Sequence, residues 1–159
     1  MGIRKWEAWA CMFLVTFLAL VAIGTDNVAS ARTEVVQQNP LDTEFITAEE
    51  LKTKLAKNQP VAIIDVRGAS SMLDSGEKIK GAIYVKLRRL KYRLAFPPLS
   101  NVPHNREVVT YCACPNDESS VSAAQRLHEA GFKHVRVLKG GWVVWKKAKG
   151  QVEPMASGM

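Results

Sequence analysis

Val61 to Val66 reads VAIIDV and Val108 to Cys112 reads VVTYC, two short and nearly continuous apolar runs rich in β-branched residues. A strand with one wet face alternates apolar and polar residues. Unbroken runs of this length therefore belong to strands covered on both faces, the condition of a parallel sheet. The flanking segments supply the covering helices. Thr47-Ala48-Glu49-Glu50 is a T-x-x-E capping box, in which hydroxyl and carboxylate satisfy the free amides of a helix start. The helix is predicted to run to about Lys57, with Leu51 and Leu55 on one face, and to end at Asn58 and Pro60. A short helix around Ser70 to Leu73 and a strand over Ala82 to Val85 follow. Residues 86 to 99, basic and then apolar and Pro-rich, show no period. Ser119 to Ala130 carries Val121, Ala124, Leu127 and Ala130 at helical spacing, with Gly131 where a C-terminal cap belongs. Val135 to Leu138 reads as a strand, and Gly140-Gly141 opens a last helix holding Trp142 and Trp145. The alternation predicts an α/β fold, a central parallel sheet flanked by helices on both faces. Ligands of such sheets bind beyond the carboxyl ends of the strands.

The 159 residues suffice for one domain with a substantial core and are too few for two ordinary ones. Three cysteines do not make a disulfide scaffold. The formal charge of +7 raises the question of nucleic acid, but no zinc-finger spacing or aromatic RNA-binding signature accompanies it, and no nucleic-acid partner is expected. No P-loop or dinucleotide glycine pattern is present, so no cofactor is expected. His104, His128 and His134 share no ligand spacing with the cysteines, and no metal site is expected.

Arg4 and Lys5, the apolar run Ala8 to Ile23 and Ala29-Ser30-Ala31 stand in the order of a secretory signal peptide. Residues 1–31 are thus expected to target the chain for export, by a cleaved signal or as an uncleaved anchor through residues 8–23. Cys11 falls within that run and reads as a small hydrophobe. The expected location is the periplasm, free or anchored to the inner membrane and facing it. Residues 32–43 are a polar lead-in, and 44–154 form the domain.

The strand-end rule points to Cys114-Pro115-Asn116-Asp117-Glu118-Ser119-Ser120, where a thiol leaves a central strand just before a helix. Unpaired amides and the positive end of the dipole at a helix start favour thiolate over thiol, and the thiolate is the nucleophile. Asp65-Val66-Arg67, Ile79 to Ile83 (I-x-G-A-I), the strand-Cys-loop-helix with Ala123-Ala124, Ala130-Gly131-Phe132, and Leu138-Lys139-Gly140-Gly141 with Trp145 occur in one order. Together they resemble the rhodanese-like sulfurtransferase domain, from the Phe45 to Leu51 opening to Pro154.

The resemblance implies that Cys114 takes sulfane sulfur from a donor, holds it as a persulfide and passes it to a thiophilic acceptor. The donor would be a small sulfur compound or a protein persulfide, and the acceptor a thiol or a cyanide-like species. Counted back from Ala123-Ala124, Cys114 rather than Cys112 stands at the family's catalytic distance. The six-residue loop from Cys114 to Ser119 resembles that of the sulfur-transferring members, whereas the fold's phosphatase relatives use a longer one. Amides of residues 116–120 would cradle the terminal sulfur. Asp117 and Glu118 stand where thiosulfate-using members usually carry Arg or Lys, often with a Gly. Two carboxylates there would oppose a doubly charged donor and favour a neutral or protein-borne persulfide. The basic stretch Lys78, Lys80, Lys86, Arg88, Arg89, Lys91 and Arg93 would offset them if it folds over the site; otherwise it is a solvated face or a partner dock. Asp65 and Arg67 read as structural support, an ion pair or a hydrogen-bond anchor near the site, and Cys112 as a core residue. Two alternatives stay open: a catalytically inactive rhodanese-like protein-binding module, and a C-x-C thiol-disulfide redox protein using Cys112 and Cys114.

Overall fold

The computed structural model of the chain describes residues 43–155. The expected targeting segment, Cys11 and all of the lead-in except Thr43 lie outside the described residues. The first strand, β1 (Glu44–Ile46), leads into α1 (Ala48–Ala56) through the predicted capping box. The Glu50 amide donates to Thr47 Oγ1 at 3.2 Å, and the Thr47 amide donates to Glu50 Oε2 at 2.8 Å. Then come β2 (Val61–Asp65), α2 (Ala69–Ser75), β3 (Glu77–Ile79) and β4 (Ile83–Tyr84). Residues 86–99, illegible in the sequence, form with the two residues after them two short 3-10 turns (Leu87–Arg89 and Leu99–Asn101) around α3 (Leu90–Arg93), with a cis Pro97–Pro98 bond between them. The chain continues as β5 (Glu107–Tyr111), α4 (Glu118–Glu129), β6 (His134–Leu138), α5 (Gly141–Lys147) and β7 (Val152–Pro154).

Five strands form one sheet in the order β1-β6-β5-β2-β4, and every pairing in it is parallel. β5 and β2 run through its centre, and alternate residues of each enter opposite cores. Ile64, Val108, Val135 and Val137 face one core with Leu90, Ala124 and Leu127. Ile63, Val109, Tyr111 and Leu138 face the other with Leu51, Trp142 and Trp145. This two-sided burial, at about 1.5–3 kcal/mol per large aliphatic side chain, is why the strands read as continuous apolar runs. β3 and β7 make a separate antiparallel pair that the sequence reading did not anticipate.

Two contacts fix the start of α4 against the sheet. Thr110, a polar side chain buried in β5, donates to the Ser120 carbonyl at 2.9 Å. The Val121 amide donates to the Asp117 carbonyl at 2.9 Å, closing the first turn of the helix. The loop between β5 and α4 thus sits beyond the carboxyl end of the central strand, anchored at both ends.

Candidate active site

The sequence-chosen residues 112–120 come together at that end of the sheet. Cys112 is the first residue past β5 and is wholly buried, whereas Cys114 is partly exposed; both thiols are free. Cys114 Sγ lies 3.1 Å from Ser119 Oγ, whose hydroxyl can turn to donate once the sulfur ionises. Beneath it, the Cys114 amide donates to Cys112 Sγ at 3.3 Å and the Ser120 hydroxyl approaches the same sulfur at 3.4 Å. The two sulfurs therefore meet different surroundings. Burial pushes the Cys112 thiol up, against the Ser120 hydroxyl and the Cys114 amide. Burial also works against ionisation of Cys114. There the Ser119 hydroxyl, the Cys112 thiol and the Ser119 amide prevail over it and over the Glu118 charge, holding Cys114 below the usual thiol range. Of the two, Cys114 is therefore the thiol that ionises more readily.

Two expectations about the loop are corrected. Asp117 does not face an incoming donor. It is buried, adopts a left-handed conformation (φ 57°), and turns its carboxylate under the loop, where Oδ2 accepts from the Gly140 amide at 2.8 Å. Only Glu118 leaves an exposed carboxylate, and Asn116 Nδ2 donates to it at 3.2 Å. Nor are all the loop amides free for a ligand, since that of Asp117 donates to the Cys114 carbonyl at 3.3 Å. With Pro115 lacking an N–H, the amide that acts on the Cys114 sulfur is that of Ser119, in the first turn of α4.

The sequence treated Gly140, Gly141 and Trp142 as a helix opening and core packing, but they form the floor of the loop. The Trp142 amide donates to the Cys112 carbonyl at 2.8 Å. Gly141, at φ +48°, packs so closely on that carbonyl that a methyl group would stand 3.0 Å from its carbon. Asp65 and Arg67 pair as expected, fully buried, with Nη2 donating to Oδ2 at 2.7 Å. Tyr111 donates its hydroxyl to the same carboxylate at 2.7 Å. Burial, then the Asp65 charge, drives the Tyr111 hydroxyl far upward, so it remains a donor. The Arg67 guanidinium stacks 4.2 Å over the Trp142 ring, so the ion pair reaches the reactive loop through Trp142 and Cys112 rather than by touching Cys114. A Gly-Gly-Trp after a strand was the available signal for this floor, but its partner in space, Cys112, lies 30 residues upstream.

The basic stretch does not close over the thiolate as one body. Lys78 is taken up by Glu153 of β7 and by the Ala82 carbonyl, and the groups that move Cys114 most include no cation. Among the described residues, no group of three His, Cys, Asp or Glu side chains is placed to hold a metal ion.

The rhodanese-like domain model matches residues 47–148. The chain belongs to the rhodanese-like domain family. Among curated relatives, a sulfurtransferase of Allochromatium vinosum is 26% identical over 102 residues, which is 64% of this chain and 87% of that protein. The thiosulfate sulfurtransferase GlpE of Coxiella burnetii is 32% identical over 93 residues, 58% of this chain and 78% of that protein. Among solved structures, the Alr3790 protein from Anabaena sp. superposes with a TM-score of 0.59 at 31% identity, covering 70% of this chain and 82% of that one. The fold of this rhodanese-like chain is thus that of its structural relatives. At the family level, relatives named as sulfurtransferases support sulfur transfer.

Proposed function

We propose that this rhodanese-like protein is a sulfurtransferase working through a persulfide on Cys114. The observation that carries the reading is the separation of the two thiols: Cys114 is accessible and held toward thiolate, whereas Cys112 is buried and held as thiol. In the first half-reaction the Cys114 thiolate attacks the outer sulfur of a donor persulfide, R–S–SH. A new S–S bond forms on Cys114, the donor S–S bond breaks, and the donor leaves as its thiolate R–S⁻. In the second, an acceptor thiolate attacks the outer sulfur of Cys114–S–SH and leaves with it, restoring the Cys114 thiolate. The chemistry needs a nucleophilic thiolate and donors for sulfur-borne charge, and the first turn of α4 supplies the donors. The exposed Glu118 carboxylate disfavours a dianion such as thiosulfate and favours a neutral or protein-borne donor. Export is part of the proposal. It rests on the basic, apolar and Ala29-Ser30-Ala31 order of residues 4–31, which is tested by the N-terminal sequence of the protein recovered from cells.

Turnover tests the assignment. Cys114→Ser should abolish sulfur transfer from a low-molecular-weight persulfide to a thiol, while Cys112→Ser should retain it and lose stability. Undiminished transfer by Cys114→Ser would refute the assignment. Loss in both variants, with an intramolecular disulfide forming in the wild type in air, would favour the C-x-C redox reading.

A further inference from the structure

Between Lys78 and Arg106 the chain holds eight Lys and Arg residues and no Asp or Glu. The sheet divides them. Lys80 precedes β4 and Arg106 precedes β5, so both lie at the amino edge, and Lys78 is paired with Glu153. Lys86, Arg88, Arg89, Lys91 and Arg93 follow β4 and leave the sheet at the same carboxyl edge as Cys114. One strand, β2, separates β4 from β5 there, a span of roughly 10 Å at ordinary strand spacing. Leu87, Leu90 and Leu94 anchor this segment in the core that also takes Cys112 and Cys114, and Arg126 of α4 donates to the Leu87 carbonyl at 2.8 Å.

With the leucines turned inward, the cations are left outside. Lys86, Arg88, Arg89 and Lys91 are exposed, and among the described residues none of the five makes an ion pair. Two aromatic rings stand among them: Tyr92 is 65% exposed and Phe96 42%, with centroids 4.9 Å apart. Exposed aromatics set among arginines are the composition of a protein-binding surface rather than of a cradle for a small anion. No cation is among the groups that move the Cys114 thiol most, so this patch shares the carboxyl edge with the sulfur without neutralising it.

We propose that the face formed by Lys86, Arg88, Arg89, Lys91, Tyr92 and Phe96 docks an acidic segment of a protein that presents or receives the persulfide sulfur. This rests on the sulfurtransferase reading and names the class of its partner. The patch attracts the acidic segment, the two rings give it an apolar foothold, and the partner's sulfur is held beside Cys114 past the Glu118 carboxylate.

The first measurement is binding, which needs no turnover. A fluorescein-labelled Glu-rich peptide, with Ser in place of the sulfur-bearing cysteine, and its Gln-rich counterpart are titrated into the full-length chain. The Glu-rich peptide should bind at least roughly tenfold tighter at low salt, with the difference closing as salt screens it. The combined variant Arg88→Ser, Arg89→Ser, Lys91→Ser should lose that preference. Lys57→Ser, Lys80→Ser, Arg106→Ser, which removes equal charge from the other edge, should keep it. Equal binding of both peptides, or equal loss in both variants, would overturn the proposal. So would a patch-dependent preference for phosphatidylserine vesicles or single-stranded DNA over the Glu-rich peptide, which would assign the face to a membrane or to nucleic acid. The same peptides carrying a cysteine persulfide then separate the two claims. If wild type takes sulfur from neither, the sulfurtransferase reading fails whatever the binding result. If it takes sulfur from both at equal rates, only the docking fails.

Discussion

Gly141→Ala should be among the most damaging single substitutions in the loop floor, and its cost can be worked from the geometry. At φ +48° any L side chain pays about 1–2 kcal/mol for the left-handed conformation. The new methyl would also overlap the Cys112 carbonyl oxygen and stand 3.0 Å from the carbonyl carbon. That carbonyl cannot yield cheaply, because it accepts the Trp142 amide at 2.8 Å and belongs to the residue two before Cys114. Displacing it breaks the bond and leaves buried partners unmatched, at about 1–3 kcal/mol. The total is about 2–5 kcal/mol. Gly76→Ala is the matched control: its φ is +60°, but nothing lies within 4 Å of the added methyl, so only the conformational cost of about 1–2 kcal/mol applies. Urea unfolding followed by tryptophan fluorescence measures both. Alkylation of Cys114 by iodoacetamide should slow or lose its low pH midpoint in Gly141→Ala and stay unchanged in Gly76→Ala. Equal destabilisation of the two variants, or an unaltered Cys114 profile in Gly141→Ala, would refute the claim that the α5 turn supports the reactive loop.

Ser119→Ala removes a hydroxyl that favours the Cys114 thiolate, so the pH midpoint of Cys114 alkylation should move upward. A midpoint that stays or falls would count against the hydroxyl's role. Asp65→Asn leaves Arg67 buried without its counter-charge and should cost about 3–5 kcal/mol in urea unfolding; a loss under about 1 kcal/mol would show that the pair is not needed. Asp117→Asn keeps an oxygen for the Gly140 amide and tolerates the left-handed conformation, so stability should change by less than about 1 kcal/mol. Asp117→Val has neither property and should lose about 3 kcal/mol or more, as read in the same unfolding experiment.

What the sequence could and could not convey follows from where each signal resides. The strands of the main sheet buried on two faces declared themselves as apolar runs, and α1 and α4 by capping residues and helical period. β3 and β7 did not: three residues each, one containing Pro154, they pair across more than 70 positions and depend on each other for their structure. Residues 86–101 turn too often for any period to build up, and Leu87, Leu90 and Leu94 reach the core from two separate short turns. At the site, the order of residues picked out the loop and Cys114. It could not tell which way a carboxylate points. Asp117 and Glu118 are adjacent, yet one is sealed beneath the loop on the Gly140 amide and the other stands in solvent, a difference made by one left-handed residue and a strand-to-helix turn distant in the chain. The Asp65–Arg67 pairing was legible within its own tripeptide, but the continuation of the floor through Trp142 to Cys112 was not, since those contacts join separate segments.

The central claim, that Cys114 carries sulfur as a persulfide, is met most directly by the intact mass of the full-length protein before and after incubation with thiosulfate or a low-molecular-weight persulfide. The account predicts a gain of one sulfur from the persulfide and less from thiosulfate, reversed by cyanide or thiol and absent in Cys114→Ser. No gain from either donor, or the same gain in Cys114→Ser, would contradict it.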